Sequence, residues 1–211
     1  MHIPDGFLDT KTWVTLGVVS AGTVGLALRK ASKKIGEKQI PLMGVLAAFI
    51  FAAQMLNFPV AGGTSGHFMG GVLAAILLGP LAGVLIMAIV LIIQCLVFQD
   101  GGLTALGANI FNMGIIGALV GYYFYLGLSR MVAGTRGMFI GAFIASWLSI
   151  VLAAGACAAE LAVSGTVPLK VALPAMAGVH GLIGIGEGLI TVAVLSLILK
   201  ARPDLLETEK I

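Results

Sequence analysis

Apolar runs separated by short polar or glycine-rich breaks organise almost the whole chain. A membrane-spanning helix needs about 20 mainly apolar residues. The pattern predicts seven helices, at about residues 10–28, 40–56, 67–78, 81–98, 108–128, 138–161 and 171–199. The third is too short to cross comfortably alone, and Gly79-Pro80 predicts only a tight break before the fourth. With an N-terminal segment at 1–9 and a tail at 200–211, we predict one all-α integral membrane domain with about seven transmembrane helices.

The composition excludes a soluble globular protein. Hydrophobic residues make up 59% of the 211 residues and charged residues only 10%, whereas soluble domains carry about 25% charge. The mean hydropathy is +1.10. We therefore expect a multi-pass protein in contact with membrane lipid. The net charge of +3 does not indicate a nucleic-acid partner, because in a membrane protein the positions of the charges matter more than their sum.

The distribution of Lys and Arg predicts the orientation, since cytoplasmic loops collect these residues. If seven helices cross, most basic residues fall on one side: Arg29, Lys30, Lys33, Lys34, Lys38, Arg130, Arg136, Lys200, Arg202 and Lys210. Only Lys11 and Lys170 fall on the other side. An even number of spans would break this separation, so we expect the N-terminus outside and the C-terminus in the cytoplasm.

The N-terminal sequence Met1-His2-Ile3-Pro4-Asp5-Gly6-Phe7 places a histidine directly behind the amino terminus. The Met1 amine, the His2 backbone nitrogen and His2 Nδ1 can close two fused chelate rings on one metal ion. A flat set of nitrogen ligands suits Ni(II) and Cu(II). Copper is less favoured, because methionines scattered through apolar helices more often pack in the core. No basic region or signal-peptidase site precedes the first helix, so we expect Met1 to be retained.

A second histidine falls on the same side of the membrane. The loop from Asn57 to Gly71 contains Gly62-Gly63-Thr64-Ser65-Gly66-His67, and its glycines permit tight turns and close backbone approach. Such a loop is suited to folding back into a helix bundle. The His67 imidazole would supply a fourth nitrogen, so we predict a metal site formed by Met1, His2 and His67. The alternative is a half-exposed loop histidine without a metal-binding role.

Other polar residues are predicted to support the site or to line a pathway. His180 and Glu187 are seven residues apart on one face of the last helix, where a carboxylate at membrane depth marks either a functional contact or a structural hydrogen bond. Ser65 is a further supporting candidate. The side-chain amides near the loop that begins at Gln99-Asp100 are better suited to orienting the backbone than to binding metal. The amides are Gln94, Gln99, Asn109 and Asn112, and the carboxylate of Asp100 belongs to the same polar cluster.

Four motifs together resemble the CbiM/NikM family, the substrate-binding membrane subunits of energy-coupling factor importers for cobalt and nickel. They are Met1-His2-Ile3-Pro4-Asp5-Gly6, Gly62-Gly63-Thr64-Ser65-Gly66-His67, Gln99-Asp100-Gly101-Gly102 and Gly184-Ile185-Gly186-Glu187-Gly188. The resemblance covers nearly the whole chain. It implies an N-terminus inserted into the bundle, a metal site at Met1, His2 and His67, and residence in the plasma (inner) membrane of a prokaryote.

The resemblance also implies a division of labour between chains. It predicts a coupling transmembrane subunit, cytoplasmic ATPase subunits and a small accessory membrane subunit. The sequence itself supports a separate ATPase chain, because it contains no GxxxxGK[ST] phosphate-loop motif. We therefore expect a transport subunit and not an enzyme, with Ni²⁺ or Co²⁺ as the transported substrate and no bound organic cofactor.

Two other classes of function remain open from the sequence. One is a self-sufficient proton-coupled metal transporter that uses His180 and Glu187 as a proton relay. The other is an intramembrane enzyme that uses Ser65 or Ser149 with a histidine base, although no serine and histidine are spaced to share a proton.

Overall fold

The chain folds into a helical bundle in which one glycine-rich loop enters the interior. The computed structural model describes residues 1–31, 33, 35–37 and 39–206. Its helices are α1 (Thr10–Ala31), α2 (Gln39–Gln54), α3 (Gly71–Leu78), α4 (Pro80–Phe98), α5 (Leu106–Ile110), α6 (Gly121–Ser129), α7 (Gly134–Val163) and α8 (Leu169–Ala201). A π-helix at Phe111–Val120 joins α5 to α6, and a short 3-10 helix at Pro203–Leu205 follows α8. Lys34, Lys38 and Lys210, which were predicted to lie on the cytoplasmic side, are outside the described residues.

Five continuous helical stretches are long and apolar enough to cross a membrane among the described residues. They are α1, α4, the stretch Leu106–Ser129 that contains α5 and α6, α7 and α8. The apolar helix α2 has 16 residues and α3 only 8. Large apolar side chains such as Val18, Leu96 and Leu182 are exposed on the outer helix faces, as expected for contact with lipid tails. The predicted all-α membrane fold is therefore confirmed.

The third predicted helix, 67–78, is corrected by the structure, because the helix begins only at Gly71. The preceding loop forms a two-stranded antiparallel pair, β1 (Phe58–Pro59) and β2 (Ser65–Gly66). The loop then continues into the bundle beside α8. Irregular backbone at membrane depth is tolerated where protein surrounds it. The segment predicted as one short helix is therefore part loop and part helix.

Glycines allow this loop to lie directly against α8. A Cβ at Gly62 would lie 2.9 Å from Val171 Cγ1, and a Cβ at Gly66 would lie 2.8 Å from Ile183 Cδ1. The contacts therefore move along α8 as the loop proceeds, so the loop runs beside this helix toward the middle of the bundle. His67 is carried inward by this path.

Candidate metal centre

The N-terminal segment is part of the hydrophobic core. Met1 and Ile3 have no exposed surface, and His2 is 4% exposed. The Ile3 N–H donates to Asn109 Oδ1 at 2.8 Å, and Asn109 Nδ2 donates back to the Ile3 carbonyl at 3.2 Å. These paired bonds fix the backbone directly behind His2, so Asn109, a predicted supporting residue, anchors the segment.

The loop after α4 forms the second anchor of this segment. The Asp5 carboxylate accepts hydrogen bonds from the N–H groups of Leu103 and Thr104 and from the Thr104 hydroxyl, at 3.0, 2.8 and 2.5 Å. Gly102 donates its N–H to the Ile3 carbonyl at 2.8 Å. A Cβ at Gly102 would lie 2.6 Å from the Pro4 carbonyl carbon. The glycine is therefore required for the segment to lie this close.

Glu187 fixes the backbone that follows His67. Its two carboxylate oxygens accept the N–H groups of Met69 and Gly70, each at 2.7 Å. These contacts satisfy two backbone donors ahead of α3 and tie the loop to α8. His180 has a separate partner, because its Nδ1 donates to the Met176 carbonyl at 2.7 Å. The two predicted relay residues are thus held by different groups.

Nitrogen atoms of Met1, His2 and His67 converge in the interior. The Met1 amine lies 2.8 Å from His67 Nε2, and the His2 and His67 rings stack with their centres 4.6 Å apart and a 29° angle between planes. Ser65 supports this cluster: its Oγ lies 2.9 Å from the Met1 amine and 3.1 Å from the His2 backbone nitrogen, and its carbonyl accepts from the amine at 2.6 Å.

Hydrogen bonding leaves His67 Nε2 without a hydrogen, so its lone pair is an acceptor for the Met1 amine. Its Nδ1 lies 2.6 Å from the Phe68 carbonyl, which can only accept, so Nδ1 carries the hydrogen and Nε2 is bare. His2 Nδ1 is buried without a hydrogen-bond partner and lies 3.4 Å from Asp100 Oδ1. Its other ring nitrogen, Nε2, lies 3.0 Å from Gln94 Oε1.

Burial keeps the nitrogen atoms neutral near pH 7. It lowers the pKa of the Met1 amine from 8.0 to about 5. Burial, followed by the charge of the neighbouring amine, lowers the pKa of His2 to about 3. The same two causes hold the pKa of His67 well below its usual 6.5. Metal ligands must be deprotonated, so the amine and both rings are in the form that binds a metal.

The cluster opens toward one end of the bundle. A cavity of about 770 Å³ is lined by His2, Asp5, Ser65 and Asp100, among others. Asn57 Nδ2 donates to Asp100 Oδ2 at 3.0 Å, which holds this carboxylate at the cavity wall. Burial raises the pKa of Asp100. A small ion that enters the cavity therefore meets a carboxylate beside His2.

Side chains alone do not form a metal site in the part of the chain that the structure describes, because no three His, Cys, Asp or Glu residues come together. A metal ion bound at this cluster would therefore need backbone nitrogens among its ligands. The remaining predicted supporting residue, Asn112, donates to Glu160 Oε2 at 2.8 Å and not to the cluster. Gln54, which was not among the predicted supporting residues, is fully buried and hydrogen-bonded to Gln94. Its signal is an isolated amide in an otherwise apolar helix.

The alternative functions gain no support from the contacts. Among the described residues, the hydroxyls of Ser65 and Ser149 do not bond a histidine ring: Ser149 donates to the Ser146 carbonyl at 3.0 Å, and Ser65 meets backbone nitrogens. Both Glu187 oxygens are taken by backbone N–H groups.

The chain is similar to proteins named for the transport of cobalt, nickel or transition metals. The CbiM family, described as the cobalt uptake substrate-specific transmembrane region, matches residues 2–205. A relative from Archaeoglobus fulgidus, named as a fused nickel transport protein, NikMN, is 49% identical over 209 residues, covering 98% of this chain and 68% of the relative. Cobalt transport protein CbiM 1 of Pelobacter propionicus is 38% identical and covers 95% of this chain and 91% of its own length. A crystal structure of a truncated transition metal transporter has a TM-score of 0.88 at 36% identity, covering 95% of this chain and 99% of that chain.

Proposed function

The chain belongs to the CbiM family of cobalt and nickel transport proteins, and we propose that it captures Ni²⁺, or Co²⁺, through four nitrogens of Met1, His2 and His67. The ligands are the Met1 amine, the His2 backbone nitrogen, His2 Nδ1 and His67 Nε2. The amine and His2 form the fused chelate rings, and His67 closes the fourth corner.

One distance carries this proposal. With metal–nitrogen bonds of about 2.0 Å, neighbouring corners of a square of ligands are about 2.8 Å apart. The Met1 amine and His67 Nε2 are separated by 2.8 Å. These two nitrogens therefore have the spacing that neighbouring ligands of a flat site require.

The geometry favours nickel over cobalt, because a flat nitrogen environment suits Ni²⁺. The relatives include proteins named for nickel and for cobalt transport, so both ions belong in the test.

Charge balance supports the same site. Coordination by the His2 backbone nitrogen removes its proton, which leaves a net charge of +1 around a divalent ion with the amine and both rings neutral. Asp100, 3.4 Å from His2 Nδ1, supplies the opposite charge. A neutral site is far less costly to bury than a charged one.

The capture step belongs to an ATP-driven importer of the energy-coupling factor type in this proposal. Metal would arrive at the extracytoplasmic face, and a coupling transmembrane subunit, cytoplasmic ATPases and a small accessory membrane subunit would be other chains. The family resemblance and the lack of a phosphate-loop motif in the sequence support this arrangement.

Metal analysis of purified protein tests the proposal. The native-start protein, whose retained Met1 is verified by mass spectrometry, is expected to hold about one Ni²⁺ per chain. A Gly-Ser-Gly-Ser extension ahead of Met1, which places the new terminal amine too far from His2 to close fused chelate rings, or the change His67→Ala, is expected to abolish tight binding, whereas the same extension added after Ile211 is the matched control. Equal nickel content in all four proteins would rule out the four-nitrogen site.

A further inference from the structure

A chain of buried amides links the candidate metal centre to the backbone of Met69. Gln54 on α2 and Gln94 on α4 have no exposed surface. Gln54 Nε2 lies 2.8 Å from the Met69 carbonyl, Gln94 Nε2 lies 3.0 Å from Gln54 Oε1, and His2 Nε2 lies 3.0 Å from Gln94 Oε1. Three hydrogen bonds in series therefore end on the imidazole of His2.

The polarity of this chain is fixed from its far end. A backbone carbonyl can only accept, so Gln54 must turn its NH₂ group toward Met69 and its oxygen toward Gln94. Gln94 must then donate to that oxygen, which turns the oxygen of Gln94 toward His2. Each amide has one donor end and one acceptor end, so the orientation of the first determines that of the second.

The consequence for His2 is a single tautomer. Because Gln94 Oε1 can only accept, His2 Nε2 must carry the ring hydrogen, and Nδ1 is left with a free lone pair. Two observations agree: Nδ1 is buried without a hydrogen-bond partner, and its neighbour at 3.4 Å is a carboxylate oxygen of Asp100, which is also an acceptor. Nδ1 is the ring nitrogen that closes the chelate.

We propose that Gln94 and Gln54 are positioning residues that hold His2 in the tautomer and ring orientation needed to bind the metal ion. This inference rests on the proposed function, which supplies the role of His2 Nδ1. Neither glutamine touches the metal. Metal-bound histidines commonly donate their other ring N–H to an acceptor that fixes the ring, and loss of that acceptor weakens metal binding.

The chain of buried amides also ties the positions of His2 and His67 to the same stretch of backbone. Met69 accepts from Gln54 through its carbonyl and donates its N–H to Glu187. His67 lies two residues earlier in the same loop. A displacement of this loop would therefore move His67 directly and His2 through the two amides, so both ligand rings are referenced to one stretch of backbone.

The tautomer of His2 in metal-free protein is the direct test. Protein labelled with ¹⁵N-histidine contains three imidazoles, and the variants His67→Asn and His180→Asn assign the signals. The native protein is expected to show His2 protonated at Nε2. Gln94→Met is expected to give a mixture of tautomers and to weaken Ni²⁺ binding by about 10- to 100-fold.

A conservative variant keeps the test decisive if Gln94→Met disturbs folding. In Gln94→Glu, one carboxyl oxygen can accept from His2 Nε2, and the other, when protonated, can donate to Gln54 Oε1. This variant is expected to restore both the tautomer and near-native affinity. Gln54→Met frees Gln94 to turn over, so it is expected to mix the tautomers with a smaller loss of affinity.

The matched control is Gln39→Met, at the opposite end of α2 and about 22 Å from Gln54 along the helix axis. It is expected to change neither the tautomer nor the affinity. The positioning role of the two glutamines would be overturned if His2 is protonated at Nδ1 in the native protein. It would also be overturned if Gln94→Met changes neither the tautomer nor the affinity. Absence of Ni²⁺ binding in the native-start protein overturns the proposed function instead, and the two failures are therefore distinguishable.

Discussion

At the scale of single residues, the Met1 amine is the proposed ligand whose protonation at pH 7 is changed most by the fold. Burial lowers its pKa from 8.0 to about 5, so between these values the folded protein holds a neutral amine where a free peptide would hold an ammonium ion. No proton has to leave this nitrogen when metal binds in that range. The His2 backbone nitrogen, in contrast, must lose a proton at any of these pH values.

The first prediction concerns the pH dependence of Ni²⁺ affinity. Above about pH 5, binding releases one proton, from the His2 backbone nitrogen, so affinity is expected to rise about tenfold per pH unit. Below about pH 5 the amine also binds a proton, so affinity is expected to change by up to about a hundredfold per pH unit. This steeper dependence continues down to about pH 3, where His2 protonates. Affinity is therefore lost as pH falls.

Calorimetric titrations in buffers of different ionisation enthalpy count these protons. Release of two protons at pH 7 would show that the amine keeps its ordinary pKa. If no proton is released, the His2 backbone nitrogen is excluded as a ligand.

The second prediction concerns the charge of Asp100. Asp100→Asn keeps the size of the side chain but removes the negative charge 3.4 Å from His2 Nδ1. A charge pair at this range contributes about 1 kcal/mol or more, so Ni²⁺ affinity is expected to fall at least about fivefold. Asp204→Asn makes the same change of net charge in the segment after α8 and serves as the control. Equal loss in both variants would show only a general effect of net charge.

At the scale of elements, the N-terminal segment and the loop after α4 form one unit. A Cβ at Gly102 would lie 2.6 Å from Asp5 Oδ1 as well as from Pro4, so the third prediction is that Gly102→Ala displaces the segment. Overpacking of this kind costs about 1–3 kcal/mol, which corresponds to Ni²⁺ binding about 5- to 150-fold weaker. Met1 is also expected to become accessible to aminopeptidase in metal-free protein.

Gly178→Ala is the matched control for this variant. A Cβ at Gly178, on α8, meets nothing within 4 Å, so its Ni²⁺ affinity and resistance to aminopeptidase should equal those of the native protein. Native behaviour in Gly102→Ala would show that the segment does not depend on this close approach.

The elements also show what sequence patterns can and cannot predict. Apolar runs located the long helices, since a run of about 20 apolar residues has few other stable forms in a membrane. The distribution of charged residues and the glycine-rich loop were enough to predict that His2 and His67 lie on the same side of the membrane. The start of α3 was missed because the three residues directly before it, Phe68, Met69 and Gly70, suit a buried loop as well as an apolar helix. Gln54 was missed because its partner Gln94 is 40 residues away and only packing aligns α2 with α4.

At the scale of the whole molecule, the two ends of the bundle differ in chemistry. One end carries the cavity, with Asp5 and Asp100 in its wall. The other end carries basic residues at the last turns of α1 and α8: Arg29, Lys30 and Lys200. This polarity fits the proposed function, in which a cation is captured on one face and cytoplasmic partners bind the other, since cytoplasmic loops collect basic residues.

The fourth prediction is the orientation itself, which decides whether the cavity can receive metal from outside the cell. Leu103, which is 62% exposed, lies beside the cavity, and Glu37 is exposed in the connection between α1 and α2. Single cysteines at these positions, in a background where the buried Cys95 and Cys157 are changed to Ala, are treated with a membrane-impermeant maleimide in intact cells. Leu103→Cys is expected to react at once, and Glu37→Cys only after permeabilisation. The reverse pattern would place the cavity in the cytoplasm, and a capture role in uptake would then be excluded even if every ligand were correct.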